Sequence, residues 1–117
     1  MRTRAVVLVV EDEPLVRAVA CDALEEAGYE TLQAENADDA IALLETHPEI
    51  RLVFTDVQMP GSMDGVKLAA AVRKRWPPVR IIVTSARPKP ILIDDAVFLP
   101  KPYQLAELRK QVGDALS

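Results

Sequence analysis

Short β-branched apolar runs alternate with longer stretches whose apolar residues recur at helical spacing, from one end of the chain to the other. That double period constrains the fold more than any other feature. Strands that alternate with helices cannot pair as hairpins, so they form a parallel sheet covered by helices. The strand candidates are Val6–Val10, Glu30–Ala34, Leu52–Thr55, Val79–Thr84 and a short one at Val97–Leu99. The first, third and fourth are almost wholly apolar and belong inside the sheet, while Glu30–Ala34 alternates and suits an edge. A first helix carries Val16, Val19, Ala20, Ala23, Leu24 and Ala27 on one stripe, between Pro14 and Gly28. Asn36 can cap a second helix through Ile41 and Leu44 that ends by His47-Pro48. A third follows Asp64, with Val66, Leu68, Ala69 and Val72 inward, and stops by Pro77-Pro78. The last, after Pro102, repeats Leu105, Leu108, Val112 and Leu116. Arg87 to Ala96 contains two prolines in ten residues and predicts a loop or about one helical turn, so a fourth helix between the last two strands is short or absent.

Composition narrows the class. A chain of 117 residues, half of them hydrophobic and 27% charged, is one domain's worth of foldable protein. The expectation is a single domain over residues 1–117 with no output domain. Cys21 is the sole cysteine, which excludes an intrachain disulfide and predicts a reducing, cytoplasmic setting. The apolar run from Ala5 to Val10 is too short for a signal peptide core or a membrane span. A net charge of −4 without a clustered basic face argues against direct nucleic-acid binding.

In a doubly wound sheet, ligands sit at the carboxyl ends of the strands. Those ends carry Glu11-Asp12-Glu13, Thr55-Asp56, Thr84-Ser85 and Lys101-Pro102. Glu11, Asp12 and Asp56, the Ser85 hydroxyl and Lys101 therefore converge on one rim. Carboxylates brought so close repel one another, and a small set of acids with carbonyl and water oxygens is how proteins hold Mg²⁺. Taken singly, such acids stay solvated or cap the next helix, as expected for Glu13 and Asp64. Their arrival from separate strands points to a site.

Val-Val-Glu-Asp-Glu-Pro, Phe-Thr-Asp-Val-Gln-Met-Pro-Gly-Ser-Met-Asp-Gly, Val-Thr-Ser-Ala and Phe-Leu-Pro-Lys-Pro, in that order, resemble the receiver domain of two-component response regulators, over the whole chain. The resemblance implies a flavodoxin-like α/β fold with a five-stranded parallel sheet in the order 2-1-3-4-5. It implies that Asp56 accepts a phosphoryl group from a histidine kinase phosphohistidine. Glu11 and Asp12 would hold Mg²⁺ with one Asp56 oxygen and the backbone carbonyl of Gln58, Asp12 as the direct ligand. Lys101 and the Ser85 hydroxyl would pair with phosphoryl oxygens, with Thr84 as the alternative hydroxyl and a cis Lys101-Pro102 peptide. Phe98 matches the aromatic switch position, and Gln58 and Arg87 the positions that tune phosphate lifetime. Ser85 to Lys101 spans only 16 residues, shorter than in typical receivers. That departure resembles stand-alone receivers with a shortened fourth helix, often associated with HWE-type histidine kinases. It motivates the expectation that phosphorylation orders the Arg87 to Ala96 loop.

The implied function is a signalling receiver, monomeric or dimerising on phosphorylation, that switches a downstream protein partner or relays phosphate to a phosphotransfer protein. It is not an enzyme beyond its own phosphorylation and dephosphorylation. A phosphorylation-independent binding module is the alternative. An aspartyl-nucleophile phosphatase needs a general acid where Gln58 stands, and an amide cannot serve. A nucleotide site is disfavoured because the first strand-helix turn is acidic rather than glycine-rich. His47 reads as a helix-end residue, Cys21 as packing, Trp76 as a cover for the third helix's end, Met59-Pro60-Gly61 as a turn, and Leu108 and Val112 as core.

Overall fold

The computed structural model describes residues 4–90 and 95–117. Strands β1 (Val6–Val10), β2 (Glu30–Ala34), β3 (Ile50–Asp56), β4 (Arg80–Ser85) and β5 (Val97–Pro100) form one parallel sheet in the order β2-β1-β3-β4-β5. Helices α1 (Pro14–Glu26), α2 (Ala37–Thr46), α3 (Gly65–Arg75) and α4 (Leu105–Leu116) are the crossovers and the closing element. The wholly apolar runs lie inside the sheet, and the alternating Glu30–Ala34 is an edge, as their sequences require. Among the described residues no helix separates β4 from β5. Residues 91–94, part of the expected Arg87 to Ala96 loop, lie outside the described set, and so does any ordering of them.

Alternation along the interior strands builds two cores. Val6, Leu8, Val10, Val53, Ile81 and Val83 face α2 and α3, and Val7, Val9, Leu52, Phe54 and Ile82 face α1 and α4. Helix boundaries follow local chemistry. The Asn36 side chain accepts the Asp39 N–H at 2.8 Å, and that of Asp64 accepts the Lys67 N–H at 2.9 Å. Gly28, at φ +99°, ends α1 while its N–H and that of Tyr29 donate to Glu25 and Leu24 carbonyls. Trp76 stands at the C-terminus of α3 with the Arg75 guanidinium 4.4 Å from its ring centroid.

Of the two fates expected for Glu13, the structure takes solvation: it stands at the N-cap position of α1, exposed, with no capping bond from its side chain. One expectation fails. The apolar stripes of α1 and α4 are not wholly inward: Val19 is 50% and Leu105 36% exposed, and Ala27 is on the surface. Helix α1 meets the sheet through Ala20, Cys21, Ala23 and Leu24. Its first turns instead border, with the start of α4, an open groove of about 680 Å³ lined by Leu15, Val19, Ala86, Lys101, Tyr103 and Leu105. Periodicity marks an apolar face but not what covers it.

Candidate functional site

Among the described residues the buried polar and charged side chains are Glu11, Thr55, Asp56, Thr84 and Ser85, all at the carboxyl ends of β1, β3 and β4. A strand interior pairs its backbone with neighbours, so a side chain at the strand end is held by the ladder while its head group reaches the rim. Glu11 and Asp56 are each 6% exposed, Asp12 is exposed, and carboxylate oxygens of all three lie within 4.8 Å of one another. Lys101, just past β5, donates to Asp56 Oδ2 at 3.0 Å and to Glu11 Oε2 at 3.2 Å. Its backbone N–H donates to the Ser85 carbonyl at 2.9 Å, which fixes β5 beside β4, and the Lys101-Pro102 peptide is cis.

One lysine does not balance three acids. Burial, then the charge of Asp56, push the Glu11 carboxyl above its usual range, against the opposing pull of Lys101. Burial works against the Lys101 charge, yet its bond and attraction to Asp56 and its contacts with Glu11 outweigh this and raise its pKa. Asp56 Oδ1 is buried and has no hydrogen-bond partner among the described residues. A buried carboxylate oxygen without a donor is costly unless something else meets it. Three close hard-oxygen donors, one with an unmatched lone pair, fit a small divalent cation such as Mg²⁺.

The other expected residues surround this cluster. Ser85 Oγ donates to Gln58 Oε1 at 2.9 Å and accepts the Arg87 N–H at 3.0 Å, so Gln58, Ser85 and Arg87 form one network at the rim. Thr84 is the register partner of Asp56 and shares its face of the sheet, but its buried hydroxyl has no partner among the described residues. Phe98 is partly buried on β5, in register with Val83. Tyr103 packs edge-on against Phe54, ring centroids 5.7 Å apart, and its phenol is pushed up by burial.

Three contributors were not singled out as site residues above. Thr55 Oγ1 donates to the Asp56 carbonyl at 2.9 Å. Gly65 lets the start of α3 close onto the same carbonyl: a Cβ there would stand 2.0 Å from the Asp56 oxygen, and the Gly65 N–H donates to Val57 O at 2.9 Å. Arg17 reaches back from α1 to the Glu11 carbonyl at 2.6 Å. A glycine nine residues past a strand-end acid, and a cation in the first turns of a helix, are the sequence signals that mark the last two.

The response regulator receiver domain model matches residues 7–113. The sensor kinase CckA of Brucella abortus is 36% identical over 96% of this chain, which spans 12% of that protein. The DNA-binding transcriptional regulator NtrC of Escherichia coli is 32% identical over 97% of the chain, which spans 25% of it. The chain thus spans a quarter or less of these two relatives. Among solved structures, the receiver domain from hybrid histidine kinase CckA superposes with a TM-score of 0.83 at 34% identity, covering 96% of this chain and 99% of that one. The signal receiver domain of an HD domain-containing protein from Pseudomonas fluorescens gives a TM-score of 0.88 at 25% identity, covering 97% and 95%. Sheet order, acid cluster and family match agree, and the chain belongs to the response regulator receiver domains of two-component signalling.

Proposed function

We propose that this receiver takes a phosphoryl group from a kinase phosphohistidine onto Asp56, and that the phosphorylated rim is read by a protein partner or hands the phosphate on. The observation that carries this reading is the division of labour on Asp56, whose Oδ2 is held by Lys101 while its buried Oδ1 has no hydrogen-bond partner among the described residues. In the transfer an Asp56 oxygen bonds to phosphorus as the phosphorus–nitrogen bond breaks, its electron pair returning to the donor imidazole. Lys101 shifts from carboxylate toward the incoming phosphoryl oxygens. Mg²⁺ held by Glu11, Asp12, Asp56 and the Gln58 carbonyl would offset the charge spread over those oxygens.

Ser85 is the hydroxyl we assign to the phosphoryl group, because it lies one residue beyond Asp56's register partner and already bonds to rim groups. Thr84 remains below it, buried. Leaving Gln58 for a phosphoryl oxygen would let Ser85 transmit the change toward Phe98, and Gln58 and Arg87 would then shield the acyl phosphate from water. The donor is a histidine kinase, HWE-type on the shortened β4–β5 connection, or a phosphotransfer protein. The groove beside Lys101, with Leu15 at 77% exposure, suits an apolar helix that carries the phosphohistidine. This is cytoplasmic chemistry, and it is consistent with a lone, buried thiol at Cys21.

Intact mass after incubation with acetyl phosphate tests the reading, with and without Mg²⁺ and beside Asp56→Asn. A Mg²⁺-dependent gain of one phosphoryl group, missing from the variant, is expected. No gain, together with no binding of beryllofluoride, would overturn it in favour of a phosphorylation-independent binding module.

A further inference from the structure

We propose that Arg17 is a positioning residue for the acid pair: its guanidinium holds the peptide that joins Glu11 to Asp12, so that both carboxylates are presented to the cation. The inference rests on the Mg²⁺ site proposed above and adds a residue outside it. Arg17 sits near the start of α1, three residues after Pro14, where the helix macrodipole disfavours a positive charge. Its side chain is partly buried and bonds in two directions. Nη1 donates to the Glu11 carbonyl at 2.6 Å, and Nε donates to Gln33 Oε1, on the edge strand β2, at 3.0 Å.

The Glu11 carbonyl belongs to the planar unit containing the Cα atoms of both Glu11 and Asp12. The neighbouring peptide is held as well, since the Glu11 N–H donates to the Ala34 carbonyl at 3.0 Å. With a donor on that N–H and an acceptor on the carbonyl, the directions in which both acids leave the backbone are set from β2. Beyond the strand end no ladder partner does this, and Arg17 takes its place. Among the described residues Arg17 forms no salt bridge within 4.0 Å, so it is not spent neutralising the carboxylates.

Charge and geometry therefore make opposite predictions. A cation near the site repels Mg²⁺, so removing Arg17 by charge alone would tighten Mg²⁺ binding. Loss of positioning would weaken it, as loss of groups that orient metal ligands does elsewhere. The test is a Mg²⁺ titration of the ¹⁵N-labelled chain by amide chemical shifts, for wild type, Arg17→Gln, Arg17→Lys and Gln33→Leu, each with a thermal unfolding curve. We expect the Kd for Mg²⁺ to rise about tenfold in Arg17→Gln, with partial recovery in Arg17→Lys and a rise of about twofold in Gln33→Leu. A Kd equal to or below that of wild type in folded Arg17→Gln overturns the proposal. If Arg17→Gln does not fold, Gln33→Leu decides: weaker binding supports Arg17's role and unchanged binding overturns it. Wild-type protein that binds no Mg²⁺ would instead overturn the metal site itself.

Discussion

Along β3, Leu52 and Val53 are fully buried and apolar, whereas two residues on Thr55 and Asp56 are almost as buried and polar. The same change occurs from Val10 to Glu11 and from Val83 to Thr84 and Ser85. The sheet interior gains from removing apolar surface from water and from close packing, roughly 2 kcal/mol for each large side chain. The rim loses the hydration of two buried carboxylates and receives one lysine in return. One region holds the fold together, and the other is a local cost that the fold carries. That contrast says where substitutions should cost stability and where they should cost function.

The sharpest test is Leu8→Ala in the interior. It should lower unfolding free energy by about 3–4 kcal/mol in a urea titration while leaving the acetyl phosphate reaction of the folded protein unchanged. A parallel loss of phosphorylation at low temperature would break the separation of the regions. Gly65→Ala bridges them: a Cβ 2.0 Å from the Asp56 carbonyl forces the backbone to move, with a cost of about 2–3 kcal/mol and slower Mg²⁺-dependent phosphorylation in the same sample. Asp64→Ala removes the cap of α3 and should cost about 1 kcal/mol by the same denaturation assay.

Glu11→Gln should run the other way. The folded-state pKa of Glu11 lies above the unfolded value near 4.5, so ionising this group on the way to neutral pH costs the folded state. At pH 7 the variant should be slightly more stable than wild type, yet bind Mg²⁺ poorly. As pH falls through the folded-state pKa the advantage should shrink, and below about 4.5 it should vanish because Glu11 is then protonated in both states. Unfolding curves at pH 7 and below 4.5, with a Mg²⁺ titration at pH 7, check this. A variant less stable than wild type at pH 7 would show that the Lys101–Glu11 contact outweighs the burial of charge.

Much of this was legible beforehand, for local reasons. The apolar runs of β1, β3 and β4 and the caps at Asn36, Asp64 and Gly28 act within a few residues, so their pattern survives in one dimension. Boundaries shifted slightly: β4 runs from Arg80 to Ser85 rather than from Val79 to Thr84, because pairing with β5 carries the ladder to Ser85 and Pro100. The exposure of Leu15, Val19 and Leu105 was not legible, since helical spacing cannot say that the first turns of α1 border an open groove. Nor was the grip of Arg17 on Glu11.

The order of residues alone dictated the strand and helix alternation, the parallel sheet and which acids, hydroxyls and lysine end each strand, because period and punctuation are properties of the chain. Tertiary structure decided which oxygen of Asp56 meets Lys101, 45 residues away, and which has no donor among the described residues. It also brought Lys101 to Glu11 across 90 residues and paired Ser85 with Gln58 across 27. Those contacts depend on how crossover helices set one strand end beside another, to within a few tenths of an ångström, and no local rule contains that distance.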